Sequence, residues 1–204
     1  MEFESGYVCG MLAAKGRINT KNDFYISLET ADSELLEIAK RFLSLFGHIN
    51  VGQKERKGFK SFIITLRGDG GRAIASYGIN TGRREWNVPQ QAFVSEKFRV
   101  GFLRGFFDFS GTIKARLRKK GQKERVMKTS SINKDGLNQV KALLKIEGIG
   151  AMVYRAGKNY VLEINGKNNL ETFLKKIGFE KNSKRELIKK LLNPVEFEKV
   201  LASR

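Results

Sequence analysis

At 204 residues the chain has room for one large domain or two small ones, and 41% hydrophobic content is enough for a core. Its net charge of +18 and pI of about 10.1 favour a polyanionic partner, because Lys and Arg displace condensed counterions from phosphates. One cysteine, Cys9, excludes an internal disulfide and a cysteine-rich zinc site. One histidine, His48, argues against a histidine metal site or a His-dependent triad. With no apolar run long enough for a membrane span and no signal-peptide pattern, an intracellular, soluble protein without a targeting signal is expected.

In chain order, residues 3–14 read as a helix. Residues 17–20 and 24–29 read as strands joined by a turn at residues 21–23. Residues 32–46 carry Leu35, Leu36, Ala39, Phe42, Leu43 and Phe46 on one stripe, the mark of an amphipathic helix. Asp32 or Ser33 can cap it and Gly47 can end it. A second hairpin, residues 49–54 and 60–66, turns at Lys57-Gly58, and a short helix ends near Gly78. The same order then returns. Residues 98–109 read as a helix, 112–118 and 125–131 as strands, and 137–146 as the amphipathic helix ended by Gly148. A hairpin, 149–155 and 160–164, turns at Gly157, and 168–177 is the short helix. Gly10 and Gly105, Gly47 and Gly148, and Gly78 and Gly178 are near-equally spaced pairs, which argues duplication.

Each half therefore has αββαββα order. The expected fold class is α+β, two pseudo-symmetric repeats whose antiparallel sheets are covered on one face by helices. The expected organisation is a first repeat over residues 1–79, a linker over 80–97 holding Trp86 and Pro89, and a second repeat over 98–180. A helical extension over 181–204 is split by Pro194.

Gly6, Gly10 and Ala14 are spaced by four and form one small-residue ridge; Gly101 and Gly105 form another. Ridges of this kind let two helix backbones approach closely, so a helix–helix seam between the repeats is expected. Strand alternation assigns faces. Ile113, Ala115 and Leu117 should face the helices, leaving Thr112, Lys114, Arg116 and Arg118 on the opposite face, joined by Lys128 and Ser130. Cations aligned on one sheet face repel unless an anion covers them. In the first half Arg17 and Asn19 share the open face, and Tyr25, Ser27 and Glu29 are second-rank candidates beside them. A two-stranded ribbon fits the major groove, where Arg can read guanine and Asn adenine. Lys21, Lys54, Arg56, Lys57, Lys119, Lys120 and Lys123, at hairpin tips, suit phosphates.

The stretches YVCGMLAAKGRI, residues 7–18, and FLRGFFDFSGTI, residues 102–113, share one pattern. Aligned on glycine, both read apolar-x-x-Gly-apolar-apolar-x-x-x-Gly-x-Ile. The chain thereby resembles the single-chain, two-repeat form of the LAGLIDADG homing endonuclease family over nearly its whole length. The resemblance implies a DNA-binding saddle, a monomer, and a long double-stranded DNA target. It also implies that one carboxylate from each motif helix holds Mg²⁺ for two-metal phosphodiester cleavage. The family places that acid just before the final motif glycine, where this chain has Lys15 and Ser110. Neither binds Mg²⁺ as a carboxylate does. Asp108 matches the motif's first acid, a structural position. The expectation is sequence-specific DNA binding with no intact catalytic residue, no metal site and no cofactor. Lys15 either neutralises phosphates at the metal position or simply points to solvent. The alternatives are an RNA-binding intron maturase, an active metal-dependent endonuclease with other ligands, which would need Mg²⁺, and a transcription regulator on a degenerate copy of the fold.

Overall fold

The structure, a computed structural model, describes residues 1–20, 24–56, 58–82, 84–117 and 122–202. The first repeat runs α1 (Glu2–Lys15), β1 (Gly16–Asn19), β2 (Tyr25–Thr30), α2 (Ser33–Leu43), β3 (Ile49–Arg56), β4 (Phe59–Arg67) and α3 (Asp69–Ala75). A one-turn helix, α4 (Gln91–Val94), precedes the second repeat. That repeat runs α5 (Glu96–Ser110), β5 (Thr112–Leu117), β6 (Lys123–Ser131), α6 (Lys134–Ile146), β7 (Met152–Ala156), β8 (Asn159–Asn165) and α7 (Lys167–Lys176). Two further helices, α8 (Asn182–Leu192) and α9 (Pro194–Ala202), break at Pro194. Each repeat builds one antiparallel sheet, in the orders β1-β2-β4-β3 and β5-β6-β8-β7. The αββαββα reading and the α+β class hold.

Local chemistry sets the boundaries. Asp32 caps α2 by accepting from the Leu35 amide, and Asn133 caps α6 by accepting from the Gly136 amide. The sequence placed the start of that second helix too late, since Lys134 and Asp135 are polar first-turn residues outside the apolar stripe. Ser95 caps α5 at the Phe98 amide, so this helix begins inside the expected linker. The linker is stapled to both repeats. On the first, Thr81 accepts from the Ile18 amide, and Gln91 and Ser95 donate to Glu2. On the second, Trp86 is the anchor. Trp86 donates Nε1–H to Ser131, Asn133 donates to the Trp86 carbonyl, and the Trp86 ring lies 5.3 Å from that of Phe106. The strand expected from residue 149 starts only at Met152, because Ile149 is buried under α6, closing its last turn.

The two motif helices α1 and α5 pack through their glycines. A Cβ on Gly6 would collide with the Phe98 carbonyl, and one on Gly10 with the Phe102 carbonyl. Reciprocally, Gly101 meets the Phe3 carbonyl and Gly105 the Tyr7 carbonyl. This exchange is what a pseudo-twofold axis through the seam requires. Ala14 continues the ridge to the open end of α1, half-buried against the core. The core lies between these helices and the covered sheet faces, with Ile26, Leu28, Ile64 and Leu66 from one sheet and Ile113, Met127 and Ile164 from the other all buried.

Asp108 is buried beside the seam. It accepts from the Tyr7 hydroxyl of α1 at 2.6 Å and from the Glu180 and Lys181 amides at 3.0 and 3.1 Å. Burial pushes its pKa up, although these donors pull the other way. Its role is structural, as its motif position implied.

Candidate nucleic-acid interface

The register of the first sheet defines its open face residue by residue. Asn19, Tyr25 and Arg67 form one cross-strand row; Arg17, Ser27, Thr65 and Asn50 form the next. Glu29, Ile63 and Gly52 follow, then Ser61 with Lys54, then Phe59 with Arg56. Opposite partners on a pleated sheet share a face, so Arg17, Asn19, Tyr25, Ser27 and Glu29 are brought together as expected. They line an open groove of about 1100 Å³ that starts at Ala13, Ala14 and Lys15 and reaches Ser130, Ser131 and Ile132 of the other repeat.

Thr65 and Arg67 belong to this face and were not anticipated. Their strand reads FKSFIITLR, and its open side also carries apolar Phe59 and Ile63, so alternation gives no clear phase. The Arg67 guanidinium lies 5.5 Å over the Tyr25 ring. The Ser61 hydroxyl donates to Glu29 at 2.8 Å and, with Lys54 at 3.7 Å, holds that carboxyl below the usual range despite some burial.

The second sheet differs. Thr112, Lys114 and Arg116 share the open face with Lys128 and Ser130, as expected from Thr112 pairing with Lys128. Arg118, Lys119 and Lys120 lie outside the described residues, as do Lys21 and Lys57. The expected run of uncovered cations is corrected by the acids of neighbouring strands. Arg116 donates to Glu124 at 2.6 Å and to Glu163 at 3.0 Å. Glu163 is only 2% exposed and also accepts from Tyr154 and Asn165 at 2.8 Å. Burial would raise its pKa, but the hydrogen bonds from Asn165, Tyr154 and Arg116 outweigh that and lower it. Reading β5 alone could not reveal partners 8 and 47 positions away. Lys123, expected at a tip, begins β6 and pairs with Glu198 of α9 at 2.6 Å. Leu117 has the core-facing phase, yet it is 63% exposed because it lies at the strand's outer end.

The last residues of α1 and α5, where the resemblance leads one to expect acids, do not fit a divalent ion. Lys15 is an exposed ammonium at the end of α1. The Ser110 hydroxyl is committed to its own helix, donating to the Phe106 carbonyl at 2.7 Å. Among the described residues no group of three or more His, Cys, Asp or Glu side chains could hold a metal. Among them, too, no helix is long and apolar enough to cross a membrane.

Residues 97–178 match the family model described as LAGLIDADG-like domain. A probable translation initiation factor IF-2 of Thermococcus kodakarensis is 28% identical over 122 residues, 59% of this chain; the chain spans about a tenth of that relative's length. Among solved structures, the homing endonuclease I-WcaI bound to its DNA recognition sequence superposes with a TM-score of 0.64 at 10% identity, covering 91% of this chain and 86% of that one. I-DmoI in complex with DNA and Ca gives 0.63 at 11% identity, covering 92% and 97%. The N-terminal LAGLIDADG domain of DUF199/WhiA gives 0.62 at 16% identity, covering 92% and 87%. Residues 97–178 thus match a LAGLIDADG-like domain, and the chain as a whole has the two-repeat LAGLIDADG fold.

Proposed function

We propose that this protein binds double-stranded DNA sequence-specifically along the groove and does not cut it. The observation that carries the reading is the open face of the first sheet, where Arg17, Asn19, Ser27, Thr65 and Arg67 stand in two cross-strand rows leading to Lys15. Such a ribbon can present Arg and Asn to base edges in the major groove, while Lys54, Arg56, Lys114 and Lys128 suit phosphates. Structural neighbours of the same fold solved on DNA support it. Lys15 places a permanent cation where the fold family places a metal-binding acid, so phosphates of both strands can meet charge there without a divalent ion. The protein acts as a monomer, its two repeats supplying both halves of the groove.

The test is selection of duplexes from a random pool, followed by fluorescence anisotropy on the enriched sequence. Affinity should fall by about 10³-fold or more between 50 and 200 mM salt, as neutralising at least six phosphates requires. It should be equal in EDTA and in Mg²⁺. A flat salt response, or a structured RNA competing better than the selected duplex, would refute the reading.

A further inference from the structure

Phe59 is 80% exposed, which is unusual for so large an apolar side chain. It opens β4 beside Gly58, whose φ of 79° makes the hairpin turn. Its cross-strand partner is Arg56, and the next pair on the same side is Ser61 with Lys54. Alternation along β4 puts Phe59 on the side of Ser61, Ile63, Thr65 and Arg67, the side that faces the groove. Phe62, Ile64 and Leu66 take the opposite side and pack on the core. The second repeat builds the equivalent hairpin with polar Asn159 paired to Ala156. The fold therefore does not need an aromatic ring at this place.

An apolar ring set among cations is a poor match for an apolar protein surface. It matches a polyanion with flat apolar faces inside, which is a nucleic-acid duplex. Phe59 is six positions from Thr65, so the ring lies about 20 Å out from the row of Arg17, at roughly 3.3 Å per residue. That is roughly six base steps of one strand. About half a helical turn from the major-groove contacts the minor groove faces the protein. Apolar wedges that enter there unstack a base step, and aromatic stacking tolerates any base. We propose that Phe59 is a wedge that inserts into and unstacks one base step in the flank of a duplex held on the first sheet. The inference rests on the DNA-binding reading above.

The experiment uses the full chain and the duplex it enriches from a random pool, resynthesised with 2-aminopurine at each flanking position in turn. Expected is a several-fold fluorescence rise on binding at one step of one flank. Phe59→Ala should abolish the rise and weaken binding about ten-fold, with unchanged melting temperature and salt slope; Phe59→Tyr should keep the rise. A wild-type complex in which no step brightens, or a Phe59→Ala complex that brightens equally, overturns the wedge alone. A Phe59→Ala variant that melts earlier shows a folding role and overturns it too. If no duplex is enriched, the DNA-binding reading falls and takes the wedge with it.

Discussion

A side chain on Gly105 has no space to occupy, because its Cβ would press into the Tyr7 carbonyl and the Met11 amide of the facing helix. Backbone cannot yield as a rotamer can, so even Gly105→Ala should cost about 1–3 kcal/mol. Gly10→Ala should do the same against Phe102. Chemical denaturation of both variants checks this, and unchanged midpoints would mean that the seam is looser than described. Lys184 supplies a second residue-scale expectation. It donates to the Phe107 and Asp108 carbonyls at 2.7 and 2.6 Å, and burial pushes its pKa from 10.5 down to about 8. Between those values the unfolded chain binds more protons than the folded one, so this group makes stability rise with pH from about 8 to 10.5. Tyr7 opposes it above its ordinary value, since burial and then the Asp108 carboxylate push the phenol up. Tyr7 is common to the wild type and Lys184→Met, so their difference isolates Lys184. Between pH 8 and 10 the wild type should gain on the order of 1 kcal/mol relative to that variant. A pH-independent difference would contradict the assignment.

At the scale of elements, the segment that opens α8 ties α2 of the first repeat to the motif helix α5 of the second. Glu180 bridges Arg41 of α2 and Arg104 of α5 at 2.6 and 2.7 Å. Lys181 pairs with Asp32, and the Ser183 hydroxyl donates to Glu34 at 2.7 Å. Ile188 and Leu191 of α8 and Phe197 of α9 are buried in the common core. Ile188→Ala should therefore destabilise the whole chain in one transition, by about 2–5 kcal/mol. A variant as stable as the wild type would show that α8 is only appended. Sequence alone marked this extension as helical but gave it no role, because its partners Asp32, Glu34, Arg41 and Asp108 are separated from it by 72 to 149 positions. What was legible is what local chemistry decides: the Asp32 cap, the turn glycines, the stripe of α2, and the glycine ridges repeated in both halves. The candidate face was legible on β1 and β2, where apolar and polar residues alternate cleanly. It was not legible on β4, where Ile63 and Phe59 blur the phase. On β5, cross-strand acids changed the state of Arg116.

At the scale of the molecule, the repeated fold carries unequal halves. The first sheet faces the groove with Arg17, Asn19, Thr65 and Arg67, whereas the second ties Arg116, Tyr154 and Asn165 to Glu163. Duplex positions over the first sheet should therefore tolerate base changes less, each mismatch there costing about 1–3 kcal/mol. Equal sensitivity in both halves of a selected target would contradict this asymmetry. Lys15 lines the groove and the Ser110 hydroxyl is committed to the Phe106 carbonyl, so neither motif helix ends in a carboxylate. The most direct measurement incubates highly purified protein with its selected duplex, in EDTA, Mg²⁺ and Mn²⁺, reading binding and strand integrity from the same samples. Expected is tight, salt-sensitive binding that is equal in all three conditions, with both strands intact. Metal-dependent cleavage that a point change in residues 7–18 or 102–113 abolishes would contradict it.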